Sequence, residues 1–253
     1  MDCHLLTIVI ASFNSGKTIS KALRSVSEQS FQNWECLIVD GNSSDNTIEI
    51  VKEFANRDSR FHFISEPDSG IYDAFNKGWR KAKGEWIYYL GSDDYLTHDG
   101  LEKLMNEVCE DAILSGDVQL IEDGKPSIVV RAAMPHFGNH QGMVMRKSVI
   151  ESMNGFDENY KIIADYDLMV RIVNAGYQVK IVHVVVANFV MGGTSQSWNN
   201  MLVYLRERYR INKKYKAVKY PLLATTKIAI KKYILHFLKK RLVQKKKEDN
   251  NLQ

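Results

Sequence analysis

Cysteine is scarce in this 253-residue chain: Cys3, Cys36 and Cys109 are odd in number and scattered without metal-ligand spacing. That excludes a disulfide framework and a structural zinc site, and it points to a reducing compartment. Nowhere do about 18 apolar residues run uninterrupted, so no segment is expected to span a bilayer. No basic stretch precedes the short apolar run Leu5 to Ile10, which therefore reads as a first strand rather than a signal peptide. Internal repeats are absent, and no low-complexity segment occurs before the C-terminal end. Acids all but vanish there: from Asn199 to Lys247, 16 Lys and Arg face the single acid Glu207. That stretch carries +15, leaving −11 on the rest of a chain whose net charge is +4. The two regions are expected to face different partners.

The hydrophobic content of 45% is ample for a sizeable core. Strand-length runs rich in aromatic and β-branched residues recur as "LLTIVIAS", "ECLIVD", "RFHFIS", "EWIYYLG" and "AILSGDVQLI". Between the first four lie helix-like stretches. Ile19, Ala22, Leu23 and Val26 share one face, Ile48, Val51, Phe54 and Ala55 another, and "IYDAFNKGWRKA" carries the third. Alternating strand and helix predicts an α/β fold with a parallel sheet covered on both sides. Further along, "VQLIEDGKPSIVV" reads as a hairpin turned at Asp123-Gly124, and Gly176 as the stop of a helix.

In parallel sheets of this kind, ligands bind beyond the carboxyl ends of the strands. Those ends carry "ASFNSG", "DGNSSDNT", "SEPDSG" and "GSDD", so Asp40, Asp68, Asp93 and Asp94 are expected to converge on one edge. Crowded carboxylates raise one another's pKa unless a cation or hydrogen-bonding ligand compensates. A hard divalent ion such as Mg²⁺ or Mn²⁺, bridging carboxylate to diphosphate oxygens, is the natural compensator.

Each feature has a plainer alternative. Asp93 or Asp94 could cap a helix, yet Thr97-His98-Asp99 offers the next helix a better start. Asp40 could be a surface turn acid. With Asp45 or Ser44 capping the next helix, it is instead free at the strand terminus to bond a base or ribose. Asp73, Asn76 and Lys77 share a helix face near Asp68, as residues of an ordinary solvated face would. Asp165 stands at a helix start, where it can cap or act as general base toward a substrate hydroxyl. Asp167 faces solvent or pairs with Arg171. His140, in the polar loop "GNHQGM", is assigned to the acceptor site, and His183, inside an apolar strand, to the core.

The motifs "TIVIASFNSGKTISKALRSVSEQSFQNWECLIVDGNSSDNT", "DSGIYDAFNKG", "GSDD", "HQGMVMR", "GFDENYKIIADYDLMVR" and "MGGTS" resemble, in order, the family 2 glycosyltransferases of the GT-A fold. These are inverting enzymes that use nucleotide sugars. The likeness is strongest to the subgroup that builds bacterial surface polysaccharides such as colanic acid, O-antigen and capsule. It implies a mostly parallel, Rossmann-like sheet with helices on both faces over residues 1–195, with 1–95 as nucleotide half and 96–195 as acceptor half. A basic helical extension, 196–253, follows. Carried over, the resemblance implies that Ala11, Ser12 and Asn14 line the nucleotide, that Asp40 reads the base, and that Asp68 and Asn76 sit beside them. Asp93 then faces ribose or diphosphate, Asp94 holds Mn²⁺ or Mg²⁺, and Asp165 is the base. The chain departs from the family at the common D-x-D, which is Ser92-Asp93-Asp94. Ala164 stands where a glutamate often precedes the catalytic aspartate, and Gly41 follows Asp40 in place of a second acid. No Q-x-x-R-W motif is present, so the processive synthases match poorly.

On these family grounds the expected donor is UDP-linked, and the acceptor is a saccharide on polyprenyl diphosphate at the cytoplasmic face of the membrane. Leu223, Ile230, Ile234, Phe237 or Leu238, and Leu242 fall at helical spacing with lysines opposite, as in an interfacial helix on an anionic leaflet. A nucleic-acid partner is not expected, although basic stretches bind phosphates indiscriminately. The alternative function is a non-enzymatic nucleic-acid or membrane-binding module built on this tail. A two-carboxylate hydrolase would need neither metal nor nucleotide, and a nucleotidyltransferase would open with a more basic, glycine-rich loop than "ASFNSGK".

Overall fold

A computed structural model describes residues 5–108, 110, 112–133, 139–193, 197–231 and 233–234. Cys3, Cys109, Thr194, Ser195, Phe237, Leu238 and Leu242 lie outside the described residues. The chain separates into two compact units, Met1–Gln196 and Ser197–Gln253.

In the first unit the elements run β1 (Leu6–Ser12), α1 (Ile19–Ser27), β2 (Trp34–Asp40), α2 (Thr47–Arg57), β3 (Phe61–Ser65), α3 (Ile71–Lys81), β4 (Trp86–Gly91) and β5 (Tyr95–Leu96). Then come α4 (Gly100–Met105), β6 (Ile113–Glu122), β7 (Lys125–Val130), β8 (Met143–Arg146), α5 (Lys147–Ser152), α6 (Ala164–Asn174) and β9 (Val179–Val190). They form one sheet of order β3-β2-β1-β4-β8-β6-β9-β5, with β7 on β6.

The parallel arrangement expected from the sequence holds across β3-β2-β1-β4. Beyond β4 the sheet is mixed. β8 is inserted antiparallel between β4 and β6, and β6 leads into β7 through the two-residue turn Asp123-Gly124, whose φ angles of 50° and 74° suit a hairpin. A tight turn of that kind can only return the chain antiparallel.

Strand alternation explains the layers. Leu6, Ile8, Ile10, Trp86, Tyr88 and Leu90 share a core with Ile19, Leu23 and Val26 of α1 and Val51 of α2. Val9 and Tyr89, on the opposite face, meet α3: Phe75 lies 4.5 Å from the Tyr89 ring. A Cβ at Gly78 would sit 2.4 Å from Val9 Cγ1, so only glycine lets this helix lie so low on the sheet. Gly176, with φ +88°, ends α6 as expected. His183 is a correction. Its side chain is 58% exposed, with Nδ1 3.4 Å from Asp117 Oδ1, because Val182 and Val184 take the core-facing positions on either side.

The second unit holds α7 (Met201–Lys214) and a further helical stretch over 221–231. Among the described residues, no helix is long and apolar enough to cross a membrane.

Candidate active site

Strand register fixes the edge where the functional side chains meet. Ser12 lies opposite Asp40, Ala11 opposite Gly91, and Asp40 opposite Ser65, so β1, β2, β3 and β4 end in line. The loops that follow are laced together. Asn14, at φ 48°, accepts from Ser44 N at 2.9 Å and donates its own N–H to Ser43 Oγ at 2.8 Å. The Ser15 and Ser92 hydroxyls lie 2.8 Å apart, joining the β1 loop to the β4 loop. Asp45 accepts from Thr47 N at 3.0 Å and Gly16 N at 3.0 Å, so it does hold the start of α2.

Two residues differ from their expected settings. Asp40 is not free at its strand end: it is fully buried. Its Oδ1 accepts from Ser12 Oγ at 3.0 Å and Ser43 Oγ at 2.5 Å, and its Oδ2 from Ser43 N at 2.9 Å and Ser65 Oγ at 2.8 Å. Asp40 thus knots three strand ends together, since a buried carboxylate demands such partners. Asn76 does not share a solvated face with Asp73 and Lys77. Those two pair with each other at 3.5 Å, while Asn76 turns inward. Its Nδ2 donates to Phe156 O (2.9 Å) and Glu158 Oε1 (2.7 Å), and its Oδ1 accepts from Phe156 N (2.9 Å) and Trp79 Nε1 (3.0 Å). With two donors and two acceptor sites all used, it clamps α3 to the loop before α6.

Asp68 is half-buried, and an oxygen of its carboxylate would lie 2.7 Å from a Cβ at Gly41. Burial raises its pKa, opposed by the N–H of Gly70 and the charge of Lys77, while Asp73 and Asp40 add to the rise. Ala11 and Asp93 are half-buried and Asn14 exposed, all on this edge.

The β4 end carries the main electrostatic feature. Asp94 is 1% exposed, with Oδ1 accepting from Val190 N at 2.8 Å and Oδ2 from Gln141 Nε2 at 3.1 Å. Burial, followed by repulsion from Asp93, pushes its pKa up to about 7. Both carboxylates lean over Gly91: a Cβ there would meet Asp94 Oδ2 at 2.6 Å and Asp93 Oδ1 at 3.0 Å. Two hard oxygen donors and an undercompensated buried charge fit a divalent cation held by one or two carboxylates plus phosphate oxygens. Among the described residues, no group of three or more His, Cys, Asp or Glu is placed to hold a metal.

Asp165 lies in the first turn of α6, half-buried. Its Oδ2 is 2.9 Å from His140 Nδ1, and its Oδ1 accepts from Tyr72 OH at 3.2 Å and Tyr166 N at 2.9 Å. Burial alone would raise its pKa, but the hydrogen bond and charge of His140, with the other two donors, hold it below the usual carboxylate value. Asp167, two residues on, is fully buried and paired with Arg171 Nε at 2.7 Å. That pair braces α6, as Arg171 also reaches Gly155 O at 2.7 Å. Tyr72 and Gln141 escaped the sequence reading. Tyr72 lies in an unremarkable amphipathic stretch, and Gln141, inside the motif "HQGMVMR", shows its role through its contact to Asp94.

The chain is similar to known proteins at the level of a family model, of individual relatives and of solved structures. A family model described as Glycosyl transferase family 2 matches residues 7–152. A PGL/p-HBAD biosynthesis glycosyltransferase of Mycobacterium bovis is 28% identical over 208 residues, covering 78% of this chain and 81% of that protein. TuaG of Bacillus subtilis, named for teichuronic acid biosynthesis, is 32% identical over 126 residues, 48% of this chain and 50% of its own. Among solved structures, residues 1–349 of S. aureus TarS with UDP-GlcNAc superpose with a TM-score of 0.68 at 16% identity, over 81% of this chain and 65% of that one. The Pyrobaculum calidifontis mannosyltransferase PcManGT, with GDP-Man and Mn²⁺, gives 0.64 at 16% identity, over 83% and 63%. The chain thus spans just under two thirds of these structures, and at such identity the likeness shows the shared GT-A fold.

Proposed function

The chain belongs to the family 2 glycosyl transferases, and from that premise we propose that it is an inverting, non-processive enzyme of surface-polysaccharide assembly. It moves a sugar from a nucleotide donor, UDP-linked in our reading, to a saccharide on a polyprenyl diphosphate. The observation that carries this reading is the pair of carboxylates over Gly91, at the carboxyl edge of the parallel strands, with the hydrogen-bonded Asp165 beyond it. Structural neighbours solved with UDP-GlcNAc and with GDP-Man and Mn²⁺, and relatives named for PGL/p-HBAD and teichuronic acid biosynthesis, support it. Family membership favours the enzyme over the non-enzymatic module.

In this scheme Ala11, Ser12 and Asn14 border the nucleotide. Phe13, 63% exposed between two of them, offers a ring face on which a base can stack. Asp40 acts toward the base through the knot of strand ends it holds, and Asp68 stands beside it. Asp93 faces the ribose or diphosphate. Asp94, with Asp93, would hold Mn²⁺ or Mg²⁺, which when bound supplies Lewis-acid compensation for charge on the leaving diphosphate. Asp165, ionised at neutral pH because its donors hold its pKa low, takes the proton of the acceptor hydroxyl. That oxygen bonds the anomeric carbon as the bond from that carbon to the diphosphate oxygen breaks. The electron pair leaves with the nucleoside diphosphate, and one displacement inverts the centre. The test is Asp165→Asn. It should abolish UDP release from UDP-hexoses in the presence of acceptor lipid while leaving UDP affinity within about threefold, since a general base contributes on the order of 10²–10⁴ in rate. Unchanged turnover contradicts the assignment.

The second unit favours a membrane partner. Leu222, Leu223, Ile230 and Ile234 are more than half exposed, alongside Tyr220 and Tyr233, with Lys219, Lys227 and Lys231 nearby in sequence. An apolar face bordered by lysines suits the cytoplasmic surface of an anionic bilayer, where the acceptor lipid would reside. Binding to phosphatidylglycerol vesicles but not to neutral ones is expected. Equal capture by DNA at matched salt would turn the reading toward nucleic acid.

A further inference from the structure

One short turn joins the two halves of the site. His140–Gly142 forms a single 3-10 turn whose first two side chains go to different carboxylates. His140 Nδ1 lies 2.9 Å from Asp165 Oδ2, and Gln141 Nε2 donates to Asp94 Oδ2 at 3.1 Å. The turn has little room to move. Tyr88 OH donates to Gln141 O, Gly142 N to Asn139 O at 2.9 Å, and a Cβ at Gly142 would meet Gly116 O at 2.5 Å. The His140 ring stands edge-on to Phe75, centroids 6.1 Å apart. Gln141 and Asp94 are both buried, so their bond is shielded from competing water.

We propose that this turn is a strut coupling the base to the donor side of the site, with His140 a positioning residue for Asp165 and Gln141 a positioning residue for Asp94. Adjacent residues share a peptide plane, so a shift that follows one carboxylate displaces the donor serving the other. Partners of this kind, which orient a working group without touching substrate, typically change activity by about 10–100-fold when removed. The inference deepens the proposed function and rests on its roles for Asp165 and Asp94.

The test uses the full chain with ¹³C-labelled aspartate carboxyls, the Asp165 signal being assigned by its loss in Asp165→Asn. His140→Ala should move the Asp165 titration up toward the ordinary carboxylate value. His140→Asn, whose amide nitrogen falls near the Nδ1 position, should recover part of the wild-type shift and guards against a folding failure. Gln141→Ala should also move the Asp165 signal, although its side chain serves Asp94. An Asp165 signal unchanged in His140→Ala and His140→Asn overturns the positioning role, and one unchanged in Gln141→Ala overturns the coupling. Calorimetric titration of UDP with Mn²⁺ on the same samples reports separately on the donor reading. If wild type binds no UDP while Asp165 responds as expected, the strut stands and the donor assignment falls.

Discussion

Replacing Asp94 by Asn should stabilise the ligand-free protein, and only above mildly acidic pH. In the fold, burial and Asp93 raise the Asp94 pKa from 3.8 to about 7. Well below pH 3.8 the carboxyl is protonated in both folded and unfolded states and imposes no cost; at pH 4 the unfolded chain is about half ionised and the cost is still below about 1 kcal/mol. As pH rises toward 7 the unfolded chain releases the proton while the folded chain retains it. The folded state then loses stability at about 1.4 kcal/mol per pH unit, and above pH 7 the loss is complete. The full span corresponds to about 4 kcal/mol, which local relaxation reduces to about 2–4 kcal/mol. Asn keeps the shape and an oxygen for Val190 N–H but carries no charge. Urea unfolding of both proteins from pH 4 to pH 8 should show a stability difference of less than about 1 kcal/mol at pH 4, growing to about 2–4 kcal/mol in favour of Asp94→Asn by pH 8. A difference flat across this range would mean the charge is already compensated within the protein, removing the electrostatic argument for a cation.

Other expectations follow from close contacts. Gly91→Ala drives a methyl into both carboxylates at 2.6 and 3.0 Å. It should lower Mn²⁺-dependent UDP affinity at least about tenfold, read by calorimetry. Asn76→Ala strands Phe156 N and O, Trp79 Nε1 and Glu158, and should cost about 2–4 kcal/mol of stability, while UDP affinity of the folded fraction stays unchanged. Lost affinity without lost stability would return Asn76 to the nucleotide site. Gly78→Ala should destabilise by about 1–3 kcal/mol, measured by urea unfolding, because Val9 must give way.

How far the sequence could be read follows from the range of the interactions. The strand-length apolar runs around Ile8, Ile10, Ile38 and Leu90 announced buried strands, and the stripes of α1 and α2 announced their covering helices, because both signals are local. The parallel half, and the gathering of Ser12, Asp40 and Asp94 at its carboxyl edge, were therefore legible. The antiparallel insertion of β8 was not, since a four-residue strand takes its partners from tertiary contacts alone. Asp40 and Asn76 show the same limit at the level of side chains. Their residue types suit ligand binding, but near neighbours, Ser43 and Trp79, together with partners up to 82 positions away, occupy them. His140 reads from its polar loop as an acceptor-side residue, and its bond to Asp165 depends on a 3-10 turn meeting the start of α6, 25 positions on.

The most direct measurement is calorimetric titration of the protein with UDP, with and without Mn²⁺, in wild type and Asp94→Ala. The account predicts Mn²⁺-dependent binding in wild type that is lost in the variant. Absence of UDP binding in wild type with the metal present, or equal binding in Asp94→Ala, would contradict it.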